Sequence, residues 1–125
     1  MSGFQSSFIL ERGIGVDTWK LNSTLQYLSE MLNDTLVDVP AGFETDFASI
    51  PRFFHRLLPK NGDYDAPAVV HDFLYSTALC DRQTADLVFL ESMKSIGVSF
   101  WKRWSMYQAV HWFGWAAWNN HRKSS

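Results

Sequence analysis

Cysteine is almost missing from this sequence. Cys80 stands alone, which excludes an intrachain disulfide and any zinc site built from several thiolates. Stability must therefore come from packing. A marked excess of charge is missing too: 11 Lys and Arg face 13 Asp and Glu, for a formal net charge of −2. No strong field then draws a phosphate backbone, and non-specific nucleic-acid binding is disfavoured. Nor is there a long apolar run. The nearest candidate, toward the C-terminus, is broken by Lys102, Arg103, Gln108 and His111, and none reaches the roughly 20 residues of a membrane span. The first residues, with Ser2, Gln5, Ser6 and Ser7, have neither a basic start nor an apolar stretch, so they do not read as a secretion signal. Synthesis without Sec export is the expectation.

What is present is aromatic and apolar. At 125 residues, 46% apolar and 16% aromatic, the chain has the size of one domain, residues 1–125, and enough apolar side chains for one core. Its first part, 1–42, reads mainly as β. Short β-type runs, Phe4 to Leu10, Val16 to Leu21 and Thr35 to Val39, are separated by Gly13, Gly15 and the Asn33-Asp34 pair, which predicts a small antiparallel sheet. Leu25 to Leu32 fits both periods: Leu25, Leu28 and Leu32 suit a helix, while Leu25, Tyr27, Ser29 and Met31 alternate as in a strand. Lying between strand-like runs, it is read as a strand. Residues 43–65 follow the turn signal Pro40-Ala41-Gly42 and read as an ordered, irregular loop. Ser49 is placed to cap a short helix from Pro51 to Leu58, closed by Pro59 and Asn61-Gly62.

From 66 to 121 the pattern becomes helical and predicts a three-helix layer. Pro67 suits a first turn, and Val70, Leu74 and Ala78 recur on one face of a helix ending near Leu79. Asp81 is a credible N-cap for a second helix with Ala85, Val88, Phe89, Ser92, Met93 and Ile96 inward, stopped by Gly97. These two form a helical hairpin. Ser99 is expected to cap a long aromatic helix running to about Asn120. The fold class expected is α+β, an N-terminal antiparallel sheet packed on a helical hairpin plus that long helix.

The chemistry-bearing residues cluster on the hairpin. His71 and Tyr75 lie one turn apart on nearly one face, and antiparallel packing sets Asp86 of the second helix opposite them. A carboxylate on one imidazole nitrogen fixes its tautomer and stabilises the imidazolium, as a water-activating base requires. Asp72, turned about 100° from His71 on the helix, can hold a hard cation such as calcium, with Asp46 as a second carboxylate. The plainer reading is a buried polar tie that locks helix register, with Asp46 and Ser49 bonding nearby amides. Ser49 lacks the Gly-x-Ser-x-Gly elbow of a serine hydrolase. His55, His111 and His121 lack paired metal spacing, and Asp81 beside Cys80 raises rather than lowers a thiol pKa. On the last helix Trp101, Trp104, His111, Trp115 and Trp118 recur as an aromatic stripe. It is expected to be the core against which the hairpin packs, with Phe100, Tyr107 and Trp112 on a second face left for a partner.

Two resemblances bear on these residues. Val39 to Arg52 (VPAGFETDFASIPR), Ala68 to Tyr75 (AVVHDFLY) and Ala85 to Met93 (ADLVFLESM) together resemble a small, largely uncharacterised family of tailed-bacteriophage and prophage proteins. That implies a phage origin without assigning an activity. His71-Asp72-x-x-Tyr75 with Ala85-Asp86-x-x-Phe89 is similar to the helix pair of phospholipase A2 enzymes, particularly the domain of parvovirus coat proteins. The resemblance implies His71 as general base, Asp86 as the carboxylate orienting it and Asp72 as a calcium ligand. The glycine-rich calcium loop and the disulfides of those enzymes have no counterpart here.

Three functions follow as expectations. One is a calcium-assisted hydrolase of host-envelope lipid, acting during entry or lysis, with His71, Tyr75 and Asp86 at its catalytic centre. The second is a non-catalytic virion component of the tail, its tip or its assembly, docking on other phage virion proteins through the aromatic helix. The third is a counter-defence factor binding a host protein. All three start in the host cytoplasm, and the second ends in the virion.

Overall fold

The computed structural model describes residues 2–5, 10–12, 18–45 and 66–123. Six strands, β1 (Gly3–Phe4), β2 (Leu10–Arg12), β3 (Trp19–Leu21), β4 (Leu25–Ser29), β5 (Thr35–Val39) and β6 (Glu44–Thr45), precede four helices. These are α1 (Ala66–Thr77), α2 (Arg82–Ser95), α3 (Phe100–Phe113) and α4 (Trp115–Lys123). The architecture is α+β, as the sequence pattern predicts.

The β part differs in one respect from the single sheet expected. It forms two three-stranded antiparallel sheets, ordered β1-β4-β5 and β2-β3-β6. The run from Phe4 to Leu10 is divided between them, with Phe4 opposite Tyr27 and Leu10 opposite Leu21. The alternating reading holds from Leu25 to Ser29, where the strand ends; Met31, expected to continue it, is exposed in the turn that follows. Leu25, Tyr27 and Ser29 are buried on one face of β4, and their register against Val39, Val37 and Thr35 puts Val37 and Val39 on that same face. Inward placement of one face fixes this register, because a slip by one residue would turn every inward side chain to water. Asn33 and Asp34 adopt left-handed φ of 57° and 58°, the conformation Asn and Asp tolerate best after glycine, and so make the β4–β5 turn.

Helix α1 carries buried residues at every position from Ala66 to Tyr75. A helix buried all round must be enclosed on several sides. It packs against α2, α4 and strands β5 and β6. It ends at Thr77 rather than Leu79, because Ala78 turns left-handed (φ 53°) and its N–H bonds Leu74 O at 3.0 Å. Asp81 caps α2 as expected, its carboxylate accepting from the Thr84 N–H at 2.8 Å. That bond holds the Asp81 carboxyl below its usual range. Gly97, at φ 85°, follows the helix end. The inward face of α2 is as predicted, with Ala85, Val88, Phe89, Ser92 and Met93 buried. One core cluster joins the β strands to α1 and the start of α2. A second joins Ala68, Phe89 and Met93 to Val98, Met106 and Val110 of the α3 region.

Two expectations about the last helix are corrected. It is interrupted at Gly114 into α3 and α4, so the helical part has four helices rather than three. The reason is close approach: a Cβ at position 114 would run into the Tyr75 hydroxyl and the Val110 carbonyl. Backbone bonds Gly114 N–H to Val110 O and Trp118 N–H to Gly114 O continue across the break. Ser99 occupies the N-cap position of α3, but its side chain makes no capping bond; its backbone carbonyl accepts from Arg103 N–H instead. The second correction concerns the aromatic stripe. Only Met106, Ala109 and Val110 of α3 are buried, and these small or flexible side chains, not the tryptophans, fill the contact with α2.

Candidate functional site

The hairpin brings the sequence-predicted residues together. His71 Nε2 lies 2.8 Å from Asp86 Oδ1, and the Tyr75 hydroxyl donates to the same oxygen at 2.6 Å. A carboxylate only accepts, so against it the imidazole presents an Nε2–H. The three side chains are 0% exposed. Burial, then the bond to the Asp86 carboxylate, pushes the Tyr75 phenol well above its usual range, because ionising it would place a second anion in the interior. The His71 ring packs against Tyr75 at 4.3 Å and Phe89 at 4.7 Å between centroids, and Trp118 meets Tyr75 edge-on at 5.2 Å.

Two arginines tie this group to the rest of the helical layer. Arg82 Nη1 lies 3.6 Å from Asp86 Oδ2 and donates to the carbonyls of Val110 (3.3 Å) and His111 (3.0 Å) in the last turn of α3. Arg122 of α4 donates to the carbonyls of Tyr75 (2.6 Å) and Ser76 (2.9 Å) in the last turn of α1, and its guanidinium sits 4.5 Å from the Trp118 ring. Each cation thus meets carbonyls at a helix C-terminus, where the partial charge is negative. The sequence carried a signal for Arg82, four residues before Asp86 on one helix face. Arg122 had none, since its partners lie 47 and 46 residues away.

Asp72 is buried beside this group, on α1. Its expected calcium partner Asp46 lies outside the described residues, as do Ser49, His55 and the expected helix from Pro51 to Leu58. Among the described residues, no group of three or more His, Cys, Asp or Glu is placed to hold a metal ion. Cys80, at the hairpin turn, has its thiol pushed up to about 11, first by burial and then by Asp81 and Asp86.

A second polar tie escaped the sequence reading. Glu91 Oε1 accepts from the Tyr27 hydroxyl (2.7 Å) and Ser29 hydroxyl (2.8 Å), and Oε2 from the Met31 N–H at 3.1 Å. It pins β4 to α2. Beside it a groove of about 590 Å³ runs between the β4–β5 turn and α2–α3, with Met31, Leu87, Leu90, Phe100 and Trp104 along its walls.

Phe100 and Trp112 are exposed as expected, but Trp101, Trp104 and Trp115 of the expected core stripe turn to solvent as well. Phe100, Trp101, Trp104, Trp112, Phe113 and Trp115 are 45–67% exposed, and Trp118 is half-buried against Tyr75. So many exposed large rings on one pair of helices exceed the scattered apolar residues usual on a surface. Among the described residues, no helix is long and apolar enough to cross a membrane.

No curated protein and no solved structure gives a significant match to the chain. A family profile does. It covers residues 19–110, from β3 through most of α3, and so includes His71, Tyr75, Asp86 and Glu91 but not Trp112 or Trp115. A match over that much of the sequence places the chain in the family described as proteins of unknown function, DUF1353.

Proposed function

We propose that this chain is a non-catalytic docking component of tailed-phage type, which meets its partner through the exposed aromatic face of α3 and α4. In this reading the His71–Tyr75–Asp86 group is a structural tie. The observation that carries it is a contrast in exposure: the polar group is wholly buried and mutually bonded, while the six large rings stand in water. A general base has to come within hydrogen-bond reach of the water or hydroxyl that it deprotonates. The bond from Nε2 to Asp86 is one that a general base would also make, but the His71 ring is 0% exposed and covered by Tyr75 and Phe89, which keeps solvent from it. A buried hydrogen-bonded group that joins two helices specifies one register. The phage assignment rests on the sequence resemblance described above, and the aromatic face supports a role in a tail, an assembly step or contact with the host.

The test is a calcium titration followed by turnover of a fluorescent phospholipid, on wild type, His71→Ala and Asp86→Asn. The docking reading expects no turnover from wild type at any calcium concentration, and lowered denaturation midpoints for both variants. Calcium-dependent turnover by wild type that His71→Ala abolishes while staying folded would establish the hydrolase instead.

A further inference from the structure

The exposed tryptophans are not scattered. At about 100° per residue, Trp101, Trp104, Trp112 and Trp115 fall within an arc of about 80°. The backbone bonds across Gly114 keep the two helices in phase. The four rings therefore form one stripe roughly 21 Å long at 1.5 Å per residue. Between them on the same side stand Ser105 and Gln108, and Gln108 accepts from the Trp112 indole N–H at 3.2 Å. This is a stripe of amphipathic rings with polar groups interleaved, not a seam of Leu and Ile. Trp prefers the level of lipid headgroups, where its ring is half in hydrocarbon and its N–H remains wet.

Charge selects among the occupants such a face can take. After Glu91 the sequence contains no further Asp or Glu, but carries Lys94, Lys102, Arg103, Arg122 and Lys123, although the whole chain is slightly acidic. Lys102 Nζ stands 5.7 Å from the Trp101 ring centroid, so a cation borders the aromatic stripe, while Arg103 is turned away and donates to Val98 O at 2.9 Å. A second copy packed face to face across a two-fold axis would set that cation near its own equivalent, with no carboxylate on α3 or α4 to pair it. An anionic surface has the complementary charge. With no described helix able to span, the element is of the type that lies in the interface.

We propose that the α3–α4 face binds the surface of an anionic phospholipid bilayer, with Trp101, Trp104, Trp112 and Trp115 among the headgroups and Lys102 toward lipid phosphate. This rests on the docking reading and names the partner of that face. The experiment is co-sedimentation of the full chain with vesicles of phosphatidylcholine alone or mixed with phosphatidylglycerol, alongside tryptophan emission, light scattering of the lipid-free protein and assay of released fatty acid. The expected result is binding at least about tenfold tighter to the anionic vesicles, a blue-shifted emission, and loss of binding in high salt. Lys102→Glu should weaken anionic binding by about fivefold or more, since one cation near such a surface contributes on that scale. The double variant W112S/W115S should weaken it further while keeping the wild-type denaturation midpoint. Failure to bind anionic vesicles, or equal binding to both kinds, overturns the inference. A dimer in light scattering that W112S/W115S dissolves, with no vesicle binding, overturns it in favour of a second copy and leaves the docking reading standing. Fatty-acid release by wild type defeats the docking reading itself.

Discussion

Replacing Asp86 by Ala is the sharpest perturbation of the helical layer. Asp86 Oδ1 is the shared partner of the His71 ring and the Tyr75 hydroxyl, and the carboxylate also faces Arg82. Removing it leaves an imidazole N–H and a phenol O–H without their acceptor inside the core. Each buried donor left unmade costs about 1–3 kcal/mol, and removing one member of a buried charged pair costs about 3–5 kcal/mol. Asp86→Ala should therefore cost about 4 kcal/mol, a large part of the roughly 5–15 kcal/mol of a typical domain. Tyr75→Phe removes one bond and leaves the His71–Asp86 pair intact, so about 2 kcal/mol is expected. Once Asp86 is gone, the phenol has already lost its carboxylate acceptor, and Tyr75→Phe should then cost less than in wild type. That coupling is read from a double-mutant cycle. The assay is urea unfolding followed by far-ultraviolet circular dichroism with linear extrapolation. A loss below about 1 kcal/mol for Asp86→Ala, or additive effects of the two changes, would refute the view that this group holds the helices in register.

Other consequences follow from particular contacts. Gly114→Ala puts a methyl group against the Tyr75 hydroxyl and the Val110 carbonyl. The overpacking of about 1–3 kcal/mol should outweigh the roughly 1 kcal/mol helix preference of alanine, and the midpoint should fall; Tyr75→Phe should be less costly in that background. Glu91→Ala strips the acceptor from the Tyr27 and Ser29 hydroxyls and the Met31 N–H. It should cost about 3 kcal/mol, with hydrogen exchange in β4 accelerated first. Tyr27 and Tyr75 both have phenols raised above their usual value, by burial first and then by Glu91 and Asp86 respectively. A raised folded pKa means that the unfolded chain releases the proton first, so stability is constant below about pH 10 and falls as pH rises above it. The two groups together set a limiting slope of about 2.7 kcal/mol per pH unit, which Tyr75→Phe should roughly halve. A flat denaturation midpoint between pH 9 and pH 11 would contradict this.

Local chemistry explains what could be read in advance. Asp81 as N-cap, Gly97 after α2, the Asn33-Asp34 turn and the alternation of Leu25, Tyr27 and Ser29 all act within a few residues, and each appears where the pattern put it. The meeting of His71, Tyr75 and Asp86 was legible because two helices and a short connection leave few registers. Contacts between distant segments were not legible. Glu91 reaches Tyr27 across 64 residues and Arg122 reaches Tyr75 across 47, and neither has a local signature. Gly114 was a signal passed over, since an isolated glycine in a helical pattern calls for a packing reason. The tryptophan stripe misled for a different reason. Periodicity reports that rings share a face but not which way that face turns, and size suggested the core. Met106, Ala109 and Val110 take the inward side instead, because α2 comes close and leaves room only for smaller or flexible side chains. His71, Tyr75 and Asp86 lie within the family match at residues 19–110, and the stripe extends beyond it.

The enclosure of His71 is the point on which the account turns, and carbethoxylation of histidines by diethyl pyrocarbonate, mapped by mass spectrometry, tests it most directly. His71 is fully buried, with its Nε2 held by Asp86. It should stay unmodified in the folded protein and react readily once the chain is denatured. Modification of His71 in the folded protein at the rate of the denatured chain would show an imidazole open to solvent, and would contradict the structural role assigned to it.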